Sequence, residues 1–166
     1  SEPSADLIIQ EIRLRKVSLL DLTGDLVAIQ DRVAHTPSIW PTANQRRRIT
    51  SGFGYRRDPL GRSVRHHDGT DISAPYGASI VATADGKVLE SAWDGDLGNV
   101  VRIDHGYGIV TTYGHMSKRS VEAGKTIMRG DEIGKVGSTG RSTGPHIHYE
   151  IHVNGKLVDP QQYFGK

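Results

Sequence analysis

Apolar and polar residues alternate without a break from His146 to Val153, near the end of the chain. The polar parity holds His146, His148, Glu150 and His152, and the apolar parity holds Ile147, Tyr149, Ile151 and Val153. A period of two predicts a β-strand with its apolar face packed into a core. On the other face, the imidazoles of His146 and His148 point the same way, about 7 Å apart along the strand.

Short β-like segments separated by glycine occupy the chain from Gln45 onward. The predicted strands are Arg48–Ser51, Ser79–Thr83, Gly86–Trp93, Asn99–Asp104, Ile109–Tyr113, Glu132–Val136, His146–Val153 and Lys156–Val158. Asn154-Gly155 is a hairpin signal between the last two. Asp159–Tyr163 is expected to form a terminal helical turn, with Asp159 as its cap and Pro160 at its first position. We therefore expect a mainly β fold with an antiparallel sheet in residues 45–166.

The first 35 residues have the spacing of a helix instead. Apolar residues recur in an a/d heptad at Ile8, Ile12, Leu19, Leu22, Leu26, Ile29 and Val33, with Arg15 as the exception. This spacing predicts an α-helix that either packs on its own domain or ends a longer coiled coil, where it would meet a second copy or a partner helix. The prolines of Thr36–Asn44 break the helix. We expect residues 1–44 to be helix and linker, and residues 45–166 to be the β domain.

Composition narrows the class of protein. The 166 residues include 20 glycines, 7 prolines and no cysteine, and the net charge is +2. A charge this small argues against a nucleic-acid partner. Without cysteine there is no disulfide framework and no thiolate metal site. No apolar run reaches the roughly 20 residues of a membrane helix, so we expect any targeting segment or membrane anchor to lie upstream of Ser1.

Candidate chemistry lies in three motifs. HHDGTD places His67 and Asp71 four residues apart, and Tyr113-Gly114-His115 ends a predicted strand. A histidine and a carboxylate here, with one histidine of the His146–Val153 strand, would give three protein ligands, which is the pattern of a catalytic zinc site with one position left open. Such an ion lowers the pKa of its water toward about 7 and polarises a carbonyl. Two further imidazoles could then move protons, and amide hydrolysis is the expected reaction.

The same motifs, HxxxD at His67 and Asp71, YGH ending at His115 and GPHIH ending at His148, together resemble the lysostaphin and LytM type of zinc metallopeptidase, which cleaves peptide cross-links of bacterial peptidoglycan. The flanking phrases ITSGFGYRRDPLG, VRIDHGYGIVTTYGHM and GDEIGKVGSTGRSTGPHIHYEI are also similar. The resemblance runs from about residue 40 to the C-terminus. It implies an exported protein of the periplasm or cell envelope that acts on peptidoglycan stem peptides, and the phrasing favours the D-alanyl to diaminopimelate bond.

The resemblance also implies residue roles. The zinc ligands would be His67, Asp71 and His148, and the catalytic histidines would be His115 and His146. The motifs leave open which histidine is the base, although His146 is favoured because it lies one strand step from His148. The substrate groove would be floored by the sheet and walled by the loops at residues 53–64 and 138–145.

Other polar residues admit two interpretations each. Glu150 would either orient an imidazole or be a solvated rim carboxylate, and Tyr113 would either donate a hydrogen bond in the groove or pack in the core. Structural or surface roles are expected for the four remaining histidines, His35, His66, His105 and His152. A run of arginines could follow an anionic wall polymer, but a solvated face is the default. Its members are Arg46, Arg47, Arg48, Arg56, Arg57, Arg62 and Arg65.

Two other functions compete with the enzyme. Some members of the resembled family have lost ligands and act as activators or scaffolds for other wall hydrolases, whereas every ligand and catalytic position is filled here. The phrase AGKTIMRGDEIGKVGSTG also resembles half of a lipoyl-type carrier motif. A carrier needs a lysine displayed at a hairpin tip, and none stands out in this chain. The carrier resemblance is therefore an analogy of fold.

Overall fold

The computed structural model describes residues 5–57 and 63–165. Its internal contacts divide the chain into two units, Ser1–Val33 and Ala34–Lys166. Helix α1 spans Ala5–Ala34, and the predicted first four residues of the helix lie outside the described part. The large apolar side chains of α1 from Leu7 to Val33 are about half or more exposed. Arg15, the exception in the heptad, is paired with Glu11 one turn earlier. Within the described ranges, no helix has the length and apolar character that a membrane span requires.

The second unit is mostly antiparallel β-sheet, as predicted. Its strands are β1 (Arg48–Ser51), β2 (Gly54–Arg57), β3 (Val64–His67), β4 (Thr70–Ser73), β5 (Ser79–Val81), β6 (Gly86–Asp94), β7 (Gly98–Asp104), β8 (Ile109–Met116), β9 (Lys118–Arg119), β10 (Thr126–Ile127), β11 (Glu132–Lys135), β12 (His146–Val153) and β13 (Lys156–Val158). All eight predicted strands are present, three of them with the predicted bounds. Five further strands were not predicted, each of them four residues long or shorter: β2, β3, β4, β9 and β10.

The strands of the described residues form three sheets. The largest has the order β1-β4-β12-β8-β7-β6-β10, with β13 also paired to β12. β5, β11 and β9 form a second sheet, and β2 pairs with β3 in a third. Because β12 lies between β4 and β8, residues that are far apart in sequence become cross-strand neighbours at the middle of the large sheet.

The hydrophobic core joins the large sheet to the three-stranded sheet. Its cluster of buried residues includes Ile72, Ile103, Ile147 and Ile151 from the large sheet and Ile133 from β11. Each of these side chains is fully buried. The apolar parity of β12 therefore faces the core, as the alternation predicted, and its polar parity is left for the other face.

Two segments differ from expectation. Within residues 36–44, expected to be a linker, Pro41 and Thr42 are buried, and the Trp40 ring stacks on Phe164 at a centroid distance of 4.3 Å. This segment packs on the β unit because it carries apolar rings that the sheet can cover. The predicted wall loop at residues 53–64 instead contains β2 and the first residue of β3, and its residues 58–62 lie outside the described part.

The end of the chain follows the prediction closely. A 3-10 helix spans Pro160–Tyr163, and the Asp159 carboxylate accepts a hydrogen bond from the Gln161 backbone N–H at 3.0 Å. The cap satisfies one of the backbone donors that a helical turn leaves unpaired.

Candidate metal centre

Strand pairing brings together residues from the first and last predicted motifs. Asp71 on β4 lies directly opposite His148 on β12 in the antiparallel register, so both side chains emerge on the same face of the sheet. His67 ends β3, one tight turn before β4. This turn requires Gly69, because a Cβ at that position would lie 2.4 Å from the Tyr149 carbonyl oxygen. The glycine thus allows the motif to pack closely against β12.

Three potential ligand atoms converge at this point. His67 Nε2 is 3.1 Å from Asp71 Oδ1, His148 Nδ1 is 2.9 Å from the same oxygen, and the two nitrogens are 3.2 Å apart. Within the described residues, these three form the group of side chains arranged to hold a metal ion. Both histidines are nearly buried. The structure therefore brings together the three residues predicted as ligands, from positions up to 81 residues apart.

Hydrogen bonds on the far side of each ring fix the tautomers. His67 Nδ1 is 2.7 Å from the Gly52 carbonyl oxygen, which can only accept, so this nitrogen carries the proton. His148 Nε2 is likewise 3.0 Å from Glu150 Oε1. In the neutral rings, His67 Nε2 and His148 Nδ1 consequently present lone pairs to each other and to the carboxylate oxygen. Three acceptor atoms about 3 Å apart repel one another unless a cation lies among them.

The donor set fits zinc. Around a tetrahedral ion with bonds of about 2.0–2.1 Å, two ligand atoms lie about 3.3 Å apart, close to the separations of His67, Asp71 and His148. Two imidazole nitrogens and one carboxylate oxygen are typical of catalytic zinc, and supporting partners such as Gly52 and Glu150 are typical of metal-binding histidines. Glu150 thus takes the first of its two predicted interpretations, because its carboxylate contacts an imidazole.

The electrostatics of the metal-free cluster agree with this geometry. Burial would raise the pKa of Asp71, but the imidazoles of His148 and His67 beside its carboxylate hold that pKa well below its usual range. Burial would lower the pKa of His148, but its hydrogen bonds to Asp71 and Glu150 raise it to about 9. The cluster therefore attracts positive charge, and binding a metal would displace a proton.

His115 reaches the same cleft through an irregularity in β8. Strict alternation would put its side chain on the face of Tyr113. In the pairing of β7 with β8, however, Asn99 lies opposite Met116 and Val101 lies opposite Tyr113. A step of two residues on β7 thus corresponds to three on β8, so β8 contains one extra residue. His115 has a φ of +59°, which is rare for residues other than glycine. Such a bulge re-aims a side chain, and bulges are frequent beside active sites.

His115 and His146 form a second pair of imidazoles beside the ligand cluster. Their ring centroids are 4.6 Å apart, and His146 Nε2 lies 3.7 Å from Asp71 Oδ1. His115 Nδ1 donates to the Thr139 carbonyl and His146 Nδ1 to the Gly144 carbonyl, each at 2.7 Å. In both neutral rings the lone pair is therefore on Nε2. Burial, chiefly, lowers the pKa of His115 to about 4, so this ring is neutral at neutral pH.

The cluster lies in a cleft of about 310 Å³. The walls include His66, Arg65 and Arg56 from the β2–β3 hairpin, and Arg141, Ser142 and Thr143 from the loop predicted as a wall. Arg56 contacts the carboxylate of Asp71, with Nη2 3.3 Å from Oδ2. In the sequence, Arg56 is recognisable only as part of a run of arginines. Arg56 lies two residues after Gly54, and Gly54 pairs with His67, so Arg56 and His67 share a face of the hairpin. The sequence could indicate this role only if the register of the hairpin were known.

Tyr113 does not line the cleft, and its interpretation as a groove residue is wrong. Its side chain is fully buried on the core face, where its hydroxyl lies 3.0 Å from Thr83 Oγ1. Burial raises the pKa of Tyr113, which keeps the hydroxyl protonated. The reason is the period of the strand, since Tyr113 lies opposite Tyr149 on the apolar parity.

The other histidines lie apart from the ligand cluster. His105 is buried between the Asp85 carbonyl and Thr111, at 2.7 Å from each. His66 lines the cleft wall and pairs with Asp68 at 2.8 Å. His35 contacts the Tyr107 ring edge-on, and His152 lies opposite Val110 toward the far end of β12.

Comparison with known proteins agrees with this geometry. Residues 65–160 match the model of a family described as Peptidase family M23. Over 113 residues, the chain is 47% identical to the DD-carboxypeptidase/endopeptidase Mpg of Neisseria meningitidis serogroup B. Over 116 residues, it is 42% identical to the peptidoglycan DD-endopeptidase ShyC of Vibrio cholerae serotype O1. The matches cover 68% and 69% of this chain but only 26% and 27% of those relatives, so the chain spans about a quarter of their length.

Solved structures show the same likeness. A zinc-containing peptidase from Vibrio cholerae superposes with a TM-score of 0.70 and 38% identity, over 75% of this chain and 39% of that one. The catalytic domain of the antimicrobial peptidase lysostaphin from Staphylococcus simulans gives a TM-score of 0.63 and 29% identity, over 70% of this chain and 90% of that one.

Proposed function

The chain belongs to peptidase family M23, and from that premise we propose that it is a zinc-dependent endopeptidase that hydrolyses peptide cross-links of bacterial peptidoglycan. The observation that carries the proposal is the convergence of His67 Nε2, Asp71 Oδ1 and His148 Nδ1 within about 3 Å of one another. Because peptidoglycan lies outside the cytoplasmic membrane, the proposed place of action is the periplasm or cell envelope.

His67, Asp71 and His148 would hold the ion. When bound, zinc lowers the pKa of a water molecule to about 7 and polarises the carbonyl of the scissile bond. Glu150 and the Gly52 carbonyl hold the two imidazoles with their lone pairs turned inward. Both histidines are buried, and the lower local dielectric strengthens the electrostatic interactions between the ligand atoms.

His146 and His115 would move protons beside the ion. Both rings have the same tautomer, so the tautomer does not distinguish their roles. The distance of each ring from the ligand atoms does. His146 Nε2 lies 3.7 Å from a ligand atom, and we assign it the role of base that accepts the proton of the attacking water. His115, neutral at neutral pH, would first take up a proton at Nε2 and would then donate a hydrogen bond to the negative charge that develops on the carbonyl oxygen beside it.

The substrate is proposed to be an extended stem peptide lying along the cleft. The walls of the cleft come from the β2–β3 hairpin and the loop at residues 138–145, and its floor is the polar face of the large sheet. The relatives named as DD-endopeptidases support the D-alanyl to diaminopimelate bond as the one cleaved. A second part of the proposal concerns α1. Its exposed apolar heptad would pack against another helix, which would come from a second copy of this chain or from a partner protein.

The test combines metal content with product masses. Purified protein is analysed for zinc per chain, then incubated with purified sacculi and defined muropeptides, with and without chelator. We expect about one zinc per chain and new products whose masses correspond to D-alanyl to diaminopimelate cleavage, and we expect the chelator to abolish them. His148→Ala is the inactive comparison. His152→Ala, four residues further along the same face of β12, is the matched control.

Different failures have different meanings. Protein that binds no zinc and leaves sacculi intact would contradict the enzyme and favour a non-catalytic scaffold of the same family. Zinc binding with cleavage of another bond would correct only the substrate. For the helix, light scattering should give more than one chain per particle, and Leu19→Asp should reduce that number. Val17→Asp, an exposed change outside the heptad, should leave the number of chains unchanged.

A further inference from the structure

The two carboxylate oxygens of Asp71 have different partners. Oδ1 faces the nitrogens of His67 and His148, at 3.1 and 2.9 Å. Oδ2 faces Arg56, whose Nη2 lies 3.3 Å away. One oxygen is therefore directed into the ligand cluster, and the other is turned toward a guanidinium on the wall of the cleft.

The β2–β3 hairpin places Arg56 and His67 on one face. Gly54 pairs with His67, and Arg56 pairs with Arg65, so the side chains of Arg56, Arg65 and His67 share a side of the hairpin. Arg57 points to the opposite side and is exposed. One pair of strands therefore carries one proposed ligand and the contact to another. Arg57 is a neighbouring arginine without that contact.

Arg56 is held in a costly environment. About a quarter of its side chain is exposed, and its Nε is buried with no hydrogen-bond partner among residues 5–57 and 63–165. Burying part of a guanidinium without satisfying every donor costs free energy, and an ion pair at this depth is weak evidence of added stability. The contact with Asp71 is the interaction that Arg56 makes at this position. We therefore look for the role of Arg56 in the cleft and not in the stability of the fold.

We propose that Arg56 is a positioning residue that restrains Asp71 to offer only Oδ1 to the metal. A catalytic zinc site needs three protein ligand atoms and one open position. If Asp71 were free to rotate, its second oxygen would compete for the open position. The Arg56 contact to Oδ2 prevents this rotation and preorganises the third ligand atom. The inference rests on the proposed zinc site and adds a residue that the family match does not assign.

Charge and position predict opposite effects for the loss of Arg56. A guanidinium repels a nearby dication, so removing the charge alone would tighten metal binding. Removing the restraint would instead weaken binding, because the carboxylate would no longer be preorganised. Loss of a group that orients a metal ligand typically costs 10- to 100-fold in affinity. The sign of the change therefore distinguishes the two effects.

The experiment measures metal binding directly. Zinc affinity is determined by competition with a chromophoric chelator, and the visible spectrum of the Co²⁺-substituted protein reports its coordination number. We expect Arg56→Met to bind zinc about 10- to 100-fold more weakly and to give the weaker Co²⁺ absorption of a higher coordination number. Arg56→Lys, which keeps a donor and the charge, should restore most of the affinity. Arg57→Met should stay within about twofold of wild type, since it lacks the contact.

Several outcomes would overturn the inference. Equal or tighter zinc binding by Arg56→Met, an unchanged Co²⁺ spectrum, or an equal loss in Arg57→Met would each do so. Thermal unfolding checks that the variants fold, and Arg56→Gln replaces Arg56→Met if the latter does not. If wild-type protein itself binds no zinc, the proposed function fails first, and this result is distinct from a failure confined to Arg56.

Discussion

Tyr149 and Glu150 are neighbours on β12, yet their side chains enter opposite faces of the large sheet and meet opposite kinds of polar site. Tyr149 is fully buried, and its hydroxyl is 2.8 Å from Thr83 Oγ1, which also bonds Tyr113. Glu150 contacts His148 on the cleft face. The core face pairs its hydroxyls with one another, whereas the cleft face turns the ligand atoms of His67, Asp71 and His148 toward a common point.

This difference shows how to distinguish a structural polar cluster from a functional one. In the core, the chain of contacts from His105 through Thr111 and Tyr113 to Thr83 is closed by hydroxyls that can both donate and accept. In the cleft, the three ligand atoms of His67, Asp71 and His148 are two imidazole nitrogens and one carboxylate oxygen. The core cluster is therefore satisfied by itself and should affect only stability, whereas the cleft cluster needs a cation.

The largest effect is expected from His148→Ala. Removing one of three ligand atoms should reduce bound zinc to near zero and peptidoglycan cleavage to background, because two ligands rarely retain the ion. Metal analysis and sacculus digestion measure both. His152→Ala should retain zinc and activity. Full activity in the His148 variant would contradict the assignment of the metal centre.

The next largest effect is expected from His146 and His115, and it distinguishes these two histidines from the metal ligands. His146→Ala and His115→Ala should each lower the rate of cleavage by about 10²- to 10⁴-fold, the usual contribution of general acid or base catalysis. Both should keep about one zinc per chain. Loss of zinc in either variant would show that the residue is a ligand, and an unchanged rate would remove it from the mechanism.

Glu150→Ala should have a smaller effect on the same face. Without its contact to Nε2, the His148 ring loses the partner that fixes its tautomer and orientation. Zinc affinity should fall about 10- to 100-fold, as measured by chelator competition, while the free energy of unfolding of the metal-free protein changes little. A large loss of metal-free stability with unchanged affinity would assign Glu150 to the structure instead.

Tyr149→Phe should act only on the core face. Its hydroxyl is one of the groups that satisfy Thr83, so the free energy of unfolding should fall by about 1 kcal/mol. Zinc affinity should not change. Urea unfolding and chelator competition on the same sample give the two values. A shift in zinc affinity would mean that the two faces are coupled through β12.

The smallest effect is a pH dependence that arises from His105. Burial, despite the hydrogen bond to the Asp85 carbonyl, lowers the pKa of His105. Below about pH 6.5 the unfolded chain binds a proton that the folded chain does not, so stability falls with falling pH by at most about 1.4 kcal/mol per unit from this group. Urea unfolding of metal-free protein at several pH values should give a shallower slope for His105→Gln. An identical slope would contradict the lowered pKa.

Much of the fold followed from local patterns in the sequence. The alternation in β12, the hairpin signal at Asn154-Gly155 and the Asp159 cap are each recorded in a few adjacent residues, and the structure contains all three. The short strands β2, β3 and β4 were missed, whereas β1 and β13, which are no longer than these, were predicted. The existence of the three missed strands depends on pairing with strands elsewhere in the chain.

By itself, the sequence determined the motifs that carry His67, Asp71 and His148, because metal-ligand residue types and strand alternation are local properties. Only the tertiary structure decided which face each remaining residue serves. In the tertiary structure, an extra residue in β8 directs His115 into the cleft. Tyr113 lies in the core, and Arg56 contacts Asp71. The physical reason is that register, bulges and hairpin packing are set by contacts between distant segments, which no local pattern contains.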